Sequence, residues 1–198
     1  MRISIPKEIK AQEGRVALLP RHVKALVAAG HQVTVEHNAG IISQADDDAY
    51  TAVGAAIAPN AASVWQAGEL VVKVKEVLPP EYPLVGPQHT VFTNIHAALN
   101  QEQTDVLLKA GCAAVSAENT HPLGSPNCPL AGEVGAFEGV RLSFAQQGGS
   151  GRHFMGHFGE GALRAVVIGL GNVGRGALRT LLGLGVSVVG LDVYEGAR

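Results

Sequence analysis

Residues 164–192 narrow the choice of fold more than any other part of the chain. Arg164–Ile168 is a β-branched apolar run with the length of a buried strand. It passes directly into Gly169-Leu170-Gly171-Asn172-Val173-Gly174, then into the helical stretch RGALRTLLGLG. A second apolar run, VSVVGLD, follows and ends at Asp192. Strand, glycine turn, helix and strand within 29 residues close as a parallel βαβ unit, with the helix as the crossover.

Each glycine of this G-x-G-x-x-G turn has its own physical task. Gly169 permits the tight turn, and Gly171 lets backbone approach a pyrophosphate without a Cβ in the way. Gly174 allows the helix to lie close to the strand. The helix start at Asn172, Val173 and Gly174 offers free N–H groups and the positive end of the helix dipole. Asp192 stands 23 residues after Gly169, where an acid accepts hydrogen bonds from an adenosine ribose. Its charge opposes a 2′-phosphate, so NAD is expected rather than NADP. A glycine turn also arises for packing alone; the flanking strands, helix and terminal acid favour the nucleotide reading.

The rest of the chain repeats strand and helix at a spacing that implies parallel sheets covered on both faces. Strands are expected at RISIP, His31–His37, Glu69–Lys75, His89–Ile95 and Cys112–Glu118. A helix opens at Pro20 and closes at Gly30, the usual placement of these two residues. Shorter helices are expected at 47–53 and 61–67. Asn100 with Gln103 forms a capping box for a helix ending at Gly111. Pro79, Pro80, Pro83 and Pro87 mark a loop, and Pro122, Pro126 and Pro129 an irregular connection. A long helix over 131–147 then links two domains, residues 1–130 and 131–198. Residues 148–161, with six glycines and two histidines, read as a flexible loop. The fold class is therefore α/β, with two Rossmann-like parallel-sheet domains of which the second is incomplete.

Composition removes several functional classes. A net charge of −2 supplies no basic stripe for nucleic acid. No apolar run approaches the ~20 residues of a membrane span, so no membrane insertion is expected. The N-terminus carries no signal-like apolar segment, and a cytoplasmic location is expected. Cys112 and Cys128 lack zinc spacing and read as buried or inert thiols in a reducing compartment.

Three side chains in the first domain have the chemistry of an active site. Arg15 precedes the apolar Val16–Leu19, and its guanidinium fork suits a carboxylate, although a surface arginine is the simpler reading of that position. Lys73 and Lys75 lie two apart in a Val-rich strand that should be buried on both faces. At least one should reach the strand's C-terminal end, where ligands bind in such sheets; Lys75 is the candidate, and Lys73 reads as an ordinary solvated side chain. His96 ends the strand VFTNI, and imidazole suits proton transfer near neutrality. His153 and His157 have the spacing of a helical metal pair, but Gly151, Gly156 and Gly159 argue against a helix, so no metal site is expected. Glu133 and Glu138 read as solvated or interdomain residues.

Four motifs in order, PKEIKAQEGRVALLP, VVKVKEVLPPEY, FTNIHAA and IGLGNVGRGA, resemble alanine dehydrogenase and the N-terminal part of proton-pumping transhydrogenase. N5-(carboxyethyl)ornithine synthase is a similar relative, at RVALLP and GNVGRGA. The resemblance spans essentially the whole chain. It implies that Arg15 and Lys75 bind the carboxylate and carbonyl region of an amino acid or 2-oxo acid, and that His96 is the general acid/base. The implied reaction is oxidative deamination of L-alanine to pyruvate and ammonia with NAD. The synthase chemistry would instead reduce an imine formed between pyruvate and an amino group. A truncated, non-catalytic nucleotide-binding or subunit-interaction protein is the third reading. A homo-oligomer is expected.

The chain departs from the family pattern at two helical positions. Gly132 stands where the family has a cofactor-contacting serine, and the region of Phe137 lacks the usual arginine. The chain also stops six residues after Asp192, so one βαβ unit is present where the family pattern has two. A fragment, a truncated product and a chain needing a partner all fit that end point.

Overall fold

The computed structural model describes residues 1–197 except Leu123, Pro126, Phe158–Glu160 and Ala162. The expected loop over 148–161 and the connection at Pro126 thus lie partly outside the described residues. Two compact units are present, Met1–Thr120 and His121–Arg198.

The first unit holds β1 (Arg2–Ile5), α1 (Pro20–Ala28), β2 (Gln32–Glu36), α2 (Asp47–Thr51), β3 (Ala56–Ala58) and α3 (Ala61–Ala67). β4 (Leu70–Val72), β5 (Thr90–Thr93), α4 (Gln101–Ala110) and β6 (Ala113–Ser116) complete it. The strands form one wholly parallel sheet in the order β3-β2-β1-β4-β5-β6. Central strands are buried on both faces, as parallel strands must be when helices cover each side. Ile3, Ile5, Val33 and Val35 pack with Val23 of α1 and Tyr50 of α2; Val71 and Val91 pack with Val64 and Trp65 of α3 and Leu107 of α4.

The boundaries follow local chemistry. Pro20 opens α1, and the chain leaves it through Gly30 at φ +84°, a left-handed position that a Cβ would strain. Asn100 caps α4 by accepting the Gln103 N–H at 3.2 Å. The expected capping box is only half made, because the Gln103 side chain turns inward. It accepts the Val77 N–H at 2.6 Å and donates to the Ile95 carbonyl at 2.8 Å, fully buried. The proline-rich stretch is a 3-10 segment over Pro79–Leu84.

The second unit holds α5 (Asn127–Leu142), β7 (Arg164–Ile168), α6 (Asn172–Gly183) and β8 (Ser187–Leu191). β7 and β8 pair in parallel with α6 as the crossover. The helix expected over 131–147 starts at Asn127 instead, because Pro129 falls in its first turn, where a missing N–H costs no helical hydrogen bond. It ends at Leu142, where the chain folds back and the Gly149 and Gly151 N–H groups bond the carbonyls of Phe144 and Ser143, each at 3.0 Å. α5 crosses α6 where both present glycine. A Cβ on Gly132 would stand 1.9 Å from the Val173 carbonyl, and one on Gly176 2.1 Å from that of Pro129.

Candidate active site

The strand order of the first sheet reverses direction between β1 and β4. Loops leaving the C-terminal ends of those strands run opposite ways and open a crevice, the usual ligand position in such sheets. Arg15 lies in the loop that leaves β1, Lys75 in the segment that leaves β4, and His96 three residues past the end of β5. The topology therefore carries all three to the same edge of one sheet.

A buried charge network lies at the ends of β1 and β4. Glu8, just past β1, accepts the N–H of Val74 at 2.6 Å and of Lys75 at 3.2 Å through Oε1. Its Oε2 faces Lys73 Nζ at 3.3 Å, and the same ammonium donates to Glu81 at 2.7 Å. All three side chains are almost fully excluded from water. Lys73 is thus not the solvated residue expected: β4 ends at Val72, the chain bends, and two carboxylates draw the ammonium inward. Burial pushes the Glu81 carboxyl up, against the Lys73 charge that lowers it. The same segment is fixed from β5, where Thr93 donates to the Lys75 carbonyl at 2.6 Å and Asn94 to that of Val74 at 2.7 Å.

Lys75, half-buried, borders a cavity of about 340 Å³ together with His96, Lys10, Glu76 and Asn100. Lys10 is ion-paired to Glu76 at its wall. Arg15 borders a separate, small cavity of about 40 Å³ with Lys7, Glu8, Glu13 and Asn38. Its guanidinium grips Glu13 with two bonds, Nε to Oε1 at 2.8 Å and Nη2 to Oε2 at 2.6 Å. That bidentate pairing, opposed by burial and helped by the Lys75 charge, pulls the Glu13 carboxyl down to about 2. Lys75 and His96 share one cavity, then, while Arg15 borders another, its guanidinium paired to Glu13.

His96 has φ 49° and ψ 45°, a left-handed conformation that few non-glycine residues adopt. Glu118 holds it there from beyond β6, accepting the His96 N–H at 2.7 Å and the Ile95 N–H at 3.1 Å. The ring Nδ1 lies 3.6 Å from the same carboxylate, and the imidazole is exposed. A base whose ring faces an orienting carboxylate has the arrangement needed to pass a proton outward from Nε2.

In the second unit, Gly169 takes φ +89° in the turn after β7. Gly174 comes so close behind it that a Cβ would stand 1.7 Å from the Gly169 carbonyl. A Cβ on Gly171 would meet nothing within 4 Å, which leaves open space over the first turn of α6. Asn172, Val173 and Gly174 form that turn. Asp192 closes the unit, accepting the Leu170 N–H at 2.5 Å and the Tyr194 N–H at 2.8 Å. These residues fit a pyrophosphate and a ribose. The His153 and His157 rings meet edge to face at 5.9 Å in a non-helical segment, and no cluster of three or more metal-ligating side chains occurs among the described residues. No described helix is long and apolar enough to cross a membrane.

The sequence reasoning missed Glu8, Glu13 and Glu118, the acids that hold the named residues in place. Glu13 was within reach, two residues before Arg15 in a turn. Glu8 and Glu118 had no local signal, since they act across 66 and 22 residues of chain.

Residues 4–124 match the family model described as alanine dehydrogenase/PNT, N-terminal domain. Alanine dehydrogenase of Methanococcus maripaludis is 36% identical over 98% of this chain and 53% of its own length. That of Bacillus subtilis is 37% identical over 98% of this chain and 52% of its own. A solved L-alanine dehydrogenase superposes with a TM-score of 0.87 at 38% identity, over 100% of this chain and 56% of its own. A transhydrogenase from Sinorhizobium meliloti, 24% identical, shares the fold at a TM-score of 0.75 over 100% of this chain and 60% of its own. The chain spans about half the length of the curated relatives it matches. On sequence and structure together, the chain belongs to the alanine dehydrogenase/PNT N-terminal domain family.

Proposed function

We propose that the chain carries the substrate site and the opening βαβ unit of the nucleotide site of an NAD-dependent amino-acid oxidoreductase of the alanine dehydrogenase type. The observation that carries this reading is the meeting of Lys75 and His96 on one cavity, with Arg15 in the loop that leaves the neighbouring β1. Arg15 takes the substrate carboxylate in a fork that Glu13 now fills, because a bidentate site for one carboxylate serves for another. Lys75 sets its ammonium against the 2-oxo or 2-amino position. His96 takes the proton as the amine is oxidised or a water attacks, while Glu118 keeps its ring in register. NAD, when bound over Gly169–Gly174 with its ribose at Asp192, supplies the hydride acceptor.

The test is turnover and product analysis. The protein incubated with pyruvate, ammonia and NADH should give alanine, and His96→Ala should abolish this while the protein stays folded. Full turnover in that variant would overturn the assignment. Product formed only with pyruvate and ornithine would point to an imine reductase. No heat with NADH in calorimetry would favour a non-catalytic chain. A cytoplasmic, homo-oligomeric protein is part of the same proposal, checked by fractionation and by sedimentation.

A further inference from the structure

Lys73 and Lys75 are two residues apart, yet one is sealed in the interior and the other borders the cavity of His96. Continued strand geometry would send both to the same face. What separates them is the bend at residues 74–75, immediately after β4 ends. One oxygen of Glu8 accepts both N–H groups of that bend, at 2.6 and 3.2 Å. Its other oxygen is spent on Lys73, which Glu81 secures from the opposite side. Glu81 in turn accepts the Leu78 N–H at 2.9 Å, so the far end of the segment is tied to the same network.

We propose that Glu8 is a positioning residue: its carboxylate sets the bend that presents Lys75 to the cavity, and Lys73 serves to anchor Glu8 and does not touch substrate. The proposal rests on the reading of Lys75 as a substrate-binding residue, but its structural half stands without it. Shortening the side chain by one methylene withdraws the oxygen from at least one of the two amides. The bend then relaxes and the Lys75 ammonium leaves its place, although the buried charge count is unchanged.

Lysine dimethylation with 13C-formaldehyde, read by NMR, reports the surroundings of each ammonium without removing its charge. The Lys75 signal is assigned by its absence in Lys75→Arg, and exposed Lys24 on α1 serves as internal control. In Glu8→Asp the Lys75 signal should move while that of Lys24 stays. Pyruvate affinity, read from the Lys75 signal, should fall by about tenfold or more, the scale of one lost charge-assisted hydrogen bond. An unmoved Lys75 signal in folded Glu8→Asp overturns the proposal. A second variant, Lys73→Met, leaves the Glu8 side chain at full length and removes its anchor. Its Lys75 signal should move as in Glu8→Asp, and an unmoved signal in the folded variant also overturns the proposal. If pyruvate leaves the wild-type Lys75 signal unmoved, the proposed function fails, and the two variant comparisons still decide the role of Glu8.

Discussion

Glu118 reaches from beyond β6 to the end of β5, where it accepts the His96 N–H at 2.7 Å and stands 3.6 Å from the ring Nδ1. One side chain therefore holds the strained backbone of His96 and sets a carboxylate beside its imidazole. Burial pushes the Glu118 carboxyl up, but hydrogen bonds from the Ser116 hydroxyl and the His96 and Ile95 amides outweigh it, and the net shift is downward. The stability this contributes is present above the ordinary carboxyl value of 4.5 and is lost as pH falls through the lower folded value. Glu118→Ala should cost about 2 kcal/mol at pH 7. In urea titrations the gap between wild type and variant should close toward acid pH.

His89 titrates in the opposite environment. It is buried, accepts the Gly86 N–H at 3.0 Å through Nδ1, and bonds the Trp65 carbonyl at 3.1 Å through Nε2. Burial lowers its pKa below 6.5, only partly offset by the bond to Trp65. The unfolded chain thus takes up a proton more readily, so stability falls as pH drops below 6.5 toward the folded value. Thermal melts of wild type and His89→Gln between pH 7.5 and 5.5 should differ in slope, with the variant flatter over that range.

Removing Lys73 leaves Glu8 and Glu81 buried without their cation. Lys73→Ala should destabilise the chain by about 3–5 kcal/mol, the scale for one partner lost from a buried pair. Chemical denaturation measures this directly. A loss below about 1 kcal/mol, the scale of a surface ion pair, would show that water enters the network.

The resemblance leads one to expect a serine at residue 132, and the crossing of α5 on α6 supplies a reason for glycine there. Its Cβ would stand 1.9 Å from backbone, at the Val173 carbonyl in the first turn of α6. Gly132→Ser should cost about 1–3 kcal/mol by overpacking and shift the turn proposed to hold the pyrophosphate. Gly135, three residues on, has open space at its Cβ. Gly135→Ala should stabilise by about 0.5–1 kcal/mol through helix propensity. Paired melts of the two variants check both signs.

Much of the sheet was legible because its strands are short apolar runs between strong punctuators such as Gly30, Gly111 and Pro20. Five of the six strands of the first domain and the βαβ second unit follow from that alternation. β3 escaped, since three residues of Ala-Ile-Ala carry no periodicity. The ends of α5 escaped as well, because a proline in a first turn resembles a proline in a loop. Arg15, Lys75 and His96 could be named from position and motif. The partners that orient them could not, because Glu8 meets Lys73 across 65 residues and Glu118 meets His96 across 22. Side-chain acids acting at such separations leave no spacing to read.

The carboxylate of Glu8 has a further consequence, for what the first sheet refuses. Its strand order is one that elsewhere cradles nucleotides at the reversal between the first and fourth strands. There a phosphate depends on unspent backbone amides and a local excess of positive charge. Here the amides of Val74 and Lys75 are already spent on an internal anion, and two carboxylates stand against one ammonium. A diphosphate seeking those two amides would find them already bonded, with a carboxylate in its place. One glutamate thus takes up the amides that a phosphate would need in the first sheet, while Gly171 of the second unit faces open space.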